Sequence, residues 1–255
     1  MFGRRGLGDG FMALLDVRNV SKSFGAIRAV NDISFSVAAG EVVGLMGDNG
    51  AGKSTMVKLV AGNFPPGEGE IAVAGEVCHF HKPIEARAKG IEVVYQDLAL
   101  ADNLSIGANI FLGREPMKKL YGILPVIDRK KMADVARETM QRLDFHVERL
   151  DAPVAAFSGG QRQAVAIGRA MYWNARLVIM DEPTAALGVP EQRKVISLIQ
   201  SLKAEGKGII FISHNLRDIF EVADRIVVFR RGENAGERLP KETSGDEIVR
   251  MMVGK

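Results

Sequence analysis

The chain has 255 residues, 47% hydrophobic and 25% charged, with 34 basic residues against 31 acidic ones. These are globular proportions, which exclude disorder throughout, and a net charge of +3 with the two signs interleaved gives no electrostatic footprint for nucleic acid. A single cysteine, Cys78, excludes an internal disulfide and any cysteine-built metal site, and no apolar run approaches the roughly 20 residues that span a bilayer.

Residues 1–12 are rich in Gly and Arg, lack the apolar core of a secretory signal, and read as a loose leader, with Met12 as an alternative start. Residues 13–255 are then the folded domain. In chain order, residues 14–20 alternate apolar and polar like a half-buried strand. Residues 42–46 form a short apolar run that ends in glycines. Residues 70–77 alternate again after the turn-rich stretch 65–69, and residues 91–95 are a further apolar strand candidate. Residues 116–125 read as an irregular loop. They feed a helix over 128–143, where Met132, Val135, Ala136, Met140 and Leu143 share a face and Asp128 is the N-cap. Residues 97–172 therefore look like a helical insertion. Strands at 177–180, 208–212 and 225–229 follow, with helices near 191–205 and 215–222 between them. This alternation predicts an α/β core with a mostly parallel sheet.

Residues 47–55 fit the pattern G-x-x-x-x-G-K-[ST], between a strand and a helix as that pattern requires. Gly47, Asp48, Asn49, Gly50, Ala51 and Gly52 would turn backbone N–H groups towards phosphate oxygens. Lys53 would reach the terminal phosphates, the Ser54 hydroxyl would ligate Mg²⁺, and Thr55 opens the helix. The strand 177–180 ends in Asp181 and Glu182. After such a loop, an acid at a strand tip holds the Mg²⁺ shell, a role for Asp181, and Glu182 is placed to activate water. Guanine-reading Asn-Lys-x-Asp is absent, which argues against a GTPase. Ser158 caps a helix whose first turn holds Gly159, Gly160 and Gln161, a second phosphate-seeking helix N-terminus. Residues 104–112, an apolar stretch, suggest a partner-docking surface, with burial in the helical insertion as the alternative.

Together these residues resemble the nucleotide-binding subunits of ABC transporters over about residues 14–254. The family's signature matches Ser158 to Gln161, with Phe157 where leucine is commoner; its glutamine loop matches Gln96, its switch histidine His214, and its adenine-stacking aromatic Phe24. Taken alone, Phe24 would be a core aromatic, Gln96 a loop amide and His214 a cap. The segments 95–100, 109–115, 181–189 and 221–225 are similar to simple-sugar importers of the ribose and fructose type, and one P-loop with one signature resembles the single-domain fructose-import kind.

The resemblance implies a P-loop ATPase core with an antiparallel β portion and an inserted helical subdomain. ATP and Mg²⁺ would bind, with Glu182, His214 and Gln96 catalytic and Ser54, Gln96 and Asp181 around the metal. Two copies would pair head to tail, so that residues 158–161 of one meet the ATP of the other. It also implies transmembrane permease subunits as partners, indirectly a sugar-binding protein, no nucleic acid, and a cytoplasmic position on the inner face of the cell membrane. An ATPase outside transport, a regulatory subunit without turnover and an exporter ATPase are the alternatives. One departure stands out. Gly188 occupies the place of a usual interface Asp, either because a tight turn needs glycine or because coupling between sites is loosened.

Overall fold

The computed structural model describes residues 13–185 and 187–254, so the expected leader and Met12 lie outside the described residues. The elements run β1 (Leu15–Phe24), β2 (Ile27–Val37), β3 (Val42–Met46), α1 (Lys53–Val60), β4 (Glu68–Val73), β5 (Glu76–Cys78), α2 (Pro83–Ala88), β6 (Ile91–Val94), α3 (Ile106–Phe111), β7 (Met117–Leu120), β8 (Leu124–Ile127), α4 (Arg129–Arg142), α5 (Gly159–Tyr172), β9 (Leu177–Asp181), α6 (Val189–Ala204), β10 (Gly208–Ile212), α7 (Leu216–Val222), β11 (Arg225–Arg230), β12 (Glu233–Arg238) and α8 (Gly245–Val253).

The central sheet has the order β12-β11-β3-β10-β9-β6. All neighbours in it are parallel except the β11–β12 pair. Its central strands β3 and β10 carry only apolar residues and glycine because both faces are covered. Val43, Leu45, Ile179, Ile210, Ile212, Val227 and Phe229 face one core, shared with β1, β2, β4 and α1. Their alternates Val42, Met46, Val178, Met180, Ile209, Phe211, Ile226 and Val228 face the other, beneath α5, α6, α7 and α8. A second, antiparallel sheet β2-β1-β4-β5 closes the first core. A third cluster, built from Ile106, Ile110, Phe111, Met132, Ala136, Met140, Val154 and Val165, holds α3, α4 and α5 together.

Asp128 does cap α4, accepting from Lys131 N at 3.2 Å. Two expectations are corrected. Residues 70–77 are the ends of two strands, because Ala74 (φ 50°) and Gly75 (φ 82°) turn the chain back between the paired Val73 and Glu76. Residues 116–125 are not an irregular loop: β7 and β8 form a two-stranded hairpin paired to no other strand. Strands β2 and β12 and helices α2 and α8 were not anticipated. Polar β12 carries no apolar alternation, and only its ladder with β11 reveals it.

Candidate functional site

The parallel strands β3, β10 and β9 run in register, Leu45 beside Ile212 and Ile212 beside Asp181, so the loops that follow them gather at one sheet edge. Ligands of open α/β sheets bind at that carboxyl end. After β3 the chain makes the glycine-rich loop of residues 47–52. Gly47 sits at φ 154°, where a Cβ would collide with the carbonyl oxygen of Phe229. Gly52 sits at φ 101°, where a Cβ would lie 2.7 Å from the carbonyl oxygen of Ala29. Both positions therefore demand glycine. Gly52 is the N-cap of α1 and offers no side-chain cap, which leaves the first N–H groups of that helix for a ligand. Lys53 is buried; its Nζ donates to the carbonyl oxygens of Gly47 (2.5 Å) and Asp48 (3.1 Å). Burial lowers its pKa, against the pull of Glu182, Asp181 and Asp48.

At the tip of β9, Asp181 is half-buried and Glu182 is 7% exposed. Burial raises the pKa of both, opposed by Lys53 and His214 for Asp181 and chiefly by His214 for Glu182. Glu182 adopts a left-handed φ of 53°, which costs on the order of 1–3 kcal/mol in a residue with a side chain. The bond from Glu182 N to Ile212 O (2.9 Å) holds it there. Its Oε2 accepts from the backbone N of His214 at 3.2 Å. Its Oε1 lies 3.0 Å from His214 Nε2, yet this buried oxygen takes no hydrogen bond. A buried acceptor kept open, beside an exposed imidazole, is suited to hold a water and take its proton.

Gln96 is exposed two residues beyond β6, which pairs with β9 through Val94 and Met180, so it reaches the same edge as Asp181. Phe24, at the end of β1, is 47% exposed; it is not the core aromatic that was the alternative reading. Its ring meets Phe64 edge-on at 5.3 Å, and Lys22 lies over both rings. Ser158 caps α5 in a full capping box: its Oγ accepts from Gln161 N at 3.3 Å, and its own N donates to Gln161 Oε1 at 3.0 Å. Gly160 packs on α6, where a Cβ would meet Glu191 Cγ at 2.6 Å. Ser158 and Gly159 are exposed.

The structure adds residues that the sequence reading missed. Thr184 Oγ1 donates to Asp218 Oδ2 at 2.8 Å in the interior, and Asn215 Nδ2 donates to Asp218 Oδ1 at 3.1 Å. This network ties the loop after Glu182 to the helix after His214; Asn215 also caps α7. The only hint in the sequence was Asn215 before a helical run. One expectation fails here, and one of two open readings falls away. Ile110 and Phe111 are 1% and 2% exposed, so residues 104–112 are largely the core of the helical region and not an apolar docking face. Gly188 has φ −67° and ψ 161°, an extended conformation open to any residue, so no turn requires glycine there.

Among the described residues no group of three or more His, Cys, Asp or Glu is placed to hold a metal by itself. Mg²⁺ is commonly held by one or two carboxylates plus substrate phosphates and water. Asp181 and exposed Ser54, with Gln96 at the same edge, offer that kind of oxygen set, and the open Glu182 Oε1 fits a water beside it.

Residues 30–185 match the family described as ABC transporter. The chain is 44% identical over 239 residues to the xylose/arabinose import ATP-binding protein XylG of Sulfolobus acidocaldarius, covering 94% of this chain and 93% of that one. It is 43% identical over 246 residues to the fructose import ATP-binding protein FrcA of Rhizobium meliloti, covering 94% of each. Among solved structures it is similar to the ADP conformation of an ATP-binding cassette of an ABC transporter, with a TM-score of 0.79 and 25% identity over 96% of this chain and all of that one.

Proposed function

This chain belongs to the ABC transporter family, and from that premise we propose that it hydrolyses ATP to drive import of a simple sugar through a separate membrane permease. The observation that carries the hydrolytic part is the convergence of the glycine-rich loop, Asp181, Glu182 and His214 on one sheet edge, with Glu182 Oε1 buried and 3.0 Å from His214 Nε2. The names of the relatives, importers of xylose, arabinose and fructose, support the transport part.

In this reading the N–H groups of residues 47–55 surround the phosphates of ATP, and Phe24 stacks on the adenine. Lys53 exchanges its two backbone carbonyl partners for phosphate oxygens. Ser54, Asp181 and Gln96 would hold Mg²⁺, which neutralises phosphate charge when bound. Glu182 takes a proton from the attacking water as its oxygen bonds to the γ-phosphorus. The bond from that phosphorus to the leaving ADP oxygen breaks, giving ADP and phosphate. His214 positions the water and the γ-phosphate; stabilisation comes from preorganised charge, as is usual for phosphoryl transfer. Ser158 to Gln161 form a capped helix start whose first two residues are exposed; on this reading a second copy brings its nucleotide to it.

The test is reconstitution with the permease in proteoliposomes. Phosphate release should rise when a sugar-loaded binding protein is added, together with sugar uptake, and Glu182→Gln should abolish both. Persistent hydrolysis without coupled uptake of any pentose or hexose would overturn the sugar-import reading and leave an ATPase.

A further inference from the structure

The hairpin β7–β8 serves no core. Six of the fifteen large apolar side chains exposed among the described residues fall within 117–127: Met117, Leu120, Tyr121, Ile123, Leu124 and Ile127. Single exposed apolar residues are ordinary, but a contiguous cluster marks an interaction surface. The cluster is open on both sides. Every residue of β7 is exposed, on the face with Met117 and Lys119 and on the face with Lys118 and Leu120, and in β8 only Val126, opposite Lys118, is half-buried. At the tip, Tyr121 is held at φ 51° with Gly122 at 76° after it, and Ile123 N donates back to Leu120 O at 3.2 Å. A left-handed φ is unfavourable for a bulky residue, and a tight hairpin ordinarily places Asn, Asp or Gly there. Here it fixes a ring that is 89% exposed next to Ile123, which is 81% exposed.

Charge surrounds this apolar tip. Residues 114–131 hold six basic and two acidic residues, a balance of +4 in a chain whose total is +3. Both acids are engaged: Glu115 Oε1 accepts from Gly113 N at 3.0 Å, and Asp128 caps α4 and lies 3.6 Å from Lys118 Nζ. Lys119, Arg129, Lys130 and Lys131 are exposed. Lysine is depleted from protein–protein interfaces, and four lysines frame this patch. An aromatic and aliphatic tip within a basic collar is instead the composition of a membrane-interface contact.

We propose that the β7–β8 hairpin is a lipid contact that sets Tyr121, Ile123 and Leu124 into the interfacial layer of an anionic membrane, with the surrounding lysines and Arg129 on lipid phosphates. The inference goes beyond the transport reading and is independent of it, because bare vesicles contain no permease and binding needs no nucleotide.

The experiment is flotation of the full chain with protein-free phosphatidylcholine vesicles, with and without phosphatidylglycerol. The wild type should float with the anionic vesicles only, and less so as salt is raised. The double variant Tyr121→Gly, Ile123→Ser should weaken binding about tenfold or more through lost apolar insertion. Lys119→Glu should weaken it at least about fivefold through lost charge. Both variants should keep wild-type ATPase activity and melting temperature; Tyr121→Gly also relieves the left-handed tyrosine, so loss of folding does not confuse the result. Failure of the wild type to bind anionic vesicles overturns the proposal, as does unchanged binding by both variants. Variants that float normally but lose the permease in detergent would likewise overturn it, in favour of a protein contact.

Discussion

At the residue scale the site depends on groups whose ionisation the fold opposes. Glu182 is buried, its pKa lies above the ordinary carboxylate value, and one oxygen takes no hydrogen bond. Folding disfavours its ionised form relative to the unfolded chain. Its contribution to stability is therefore fully present below the unfolded carboxylate pKa, near 4.3, and is lost as pH rises through its raised folded value. Glu182→Gln is neutral at every pH. The variant should melt higher than wild type near neutral pH, and the difference should vanish in acid; paired melting curves against pH check this. The same substitution should lower turnover roughly 10²-fold or more, since the remaining amide takes no proton. Wild-type turnover in the variant would remove Glu182 from the role of base. Gly188 makes a different case. Its extended backbone caps α6, where Asp is a good N-cap, and a Cβ would press on the flexible carboxylate of Glu191 and touch Pro190 Cδ at an ordinary 3.7 Å. Gly188→Asp should gain a few tenths of a kcal/mol at most, a shift of about 1 °C in Tm. If the position instead governs coupling between copies, the Hill coefficient for ATP rises while Tm stays put.

At the scale of elements, two neighbouring apolar segments have opposite fates. Phe111, 2% exposed, packs edge-on against Tyr172 at 4.7 Å and Trp173 at 5.8 Å, which seats α3 on the end of α5. Phe111→Ala should cost about 3–5 kcal/mol, read as a lowered denaturant midpoint, because the cavity would lie between three helices. Ile123, twelve residues on, is exposed in the hairpin, and Ile123→Ser should stay within about 0.5 kcal/mol of wild type in the same assay. Periodicity separates the two poorly. Both are short apolar runs near glycines, and burial is decided by which partners arrive from elsewhere in the chain.

At the scale of the whole molecule, the prediction concerns pairing. If ATP lies between residues 47–55 of one copy and 158–161 of another, Lys53→Ala and Ser158→Arg chains should each be inactive alone. Mixed, they should regain part of the wild-type rate, since a mixed pair keeps one intact composite site. A chain carrying both changes, mixed with wild type, should give pairs with no intact site. Phosphate release across mixing ratios distinguishes the cases. No recovery on mixing would mean that each chain completes its own site.

Local pattern determined much of this by itself. The glycine-rich loop between a strand and a helix, the acid pair after an apolar strand and the capped helix at Ser158 were legible because each depends on residues adjacent in the chain: a left-handed glycine, a strand tip, an N-cap. The α/β class was legible for a related reason. A sheet buried on both faces writes continuous apolar runs into its strands, and helices between those runs leave few other architectures. Tertiary structure alone decided the rest. It brought His214 Nε2 to 3.0 Å from Glu182 across 32 positions of sequence, and joined Thr184 to Asp218 in the interior. It buried Ile110 and Phe111 while leaving Tyr121 and Ile123 in solvent. It also gave Gly188 an extended backbone, which removes the turn reading from the two its identity had left open. These outcomes share one physical cause. Burial, long-range hydrogen bonds and the φ of a permissive residue are set by the elements packed around it, and no short window of sequence contains those elements.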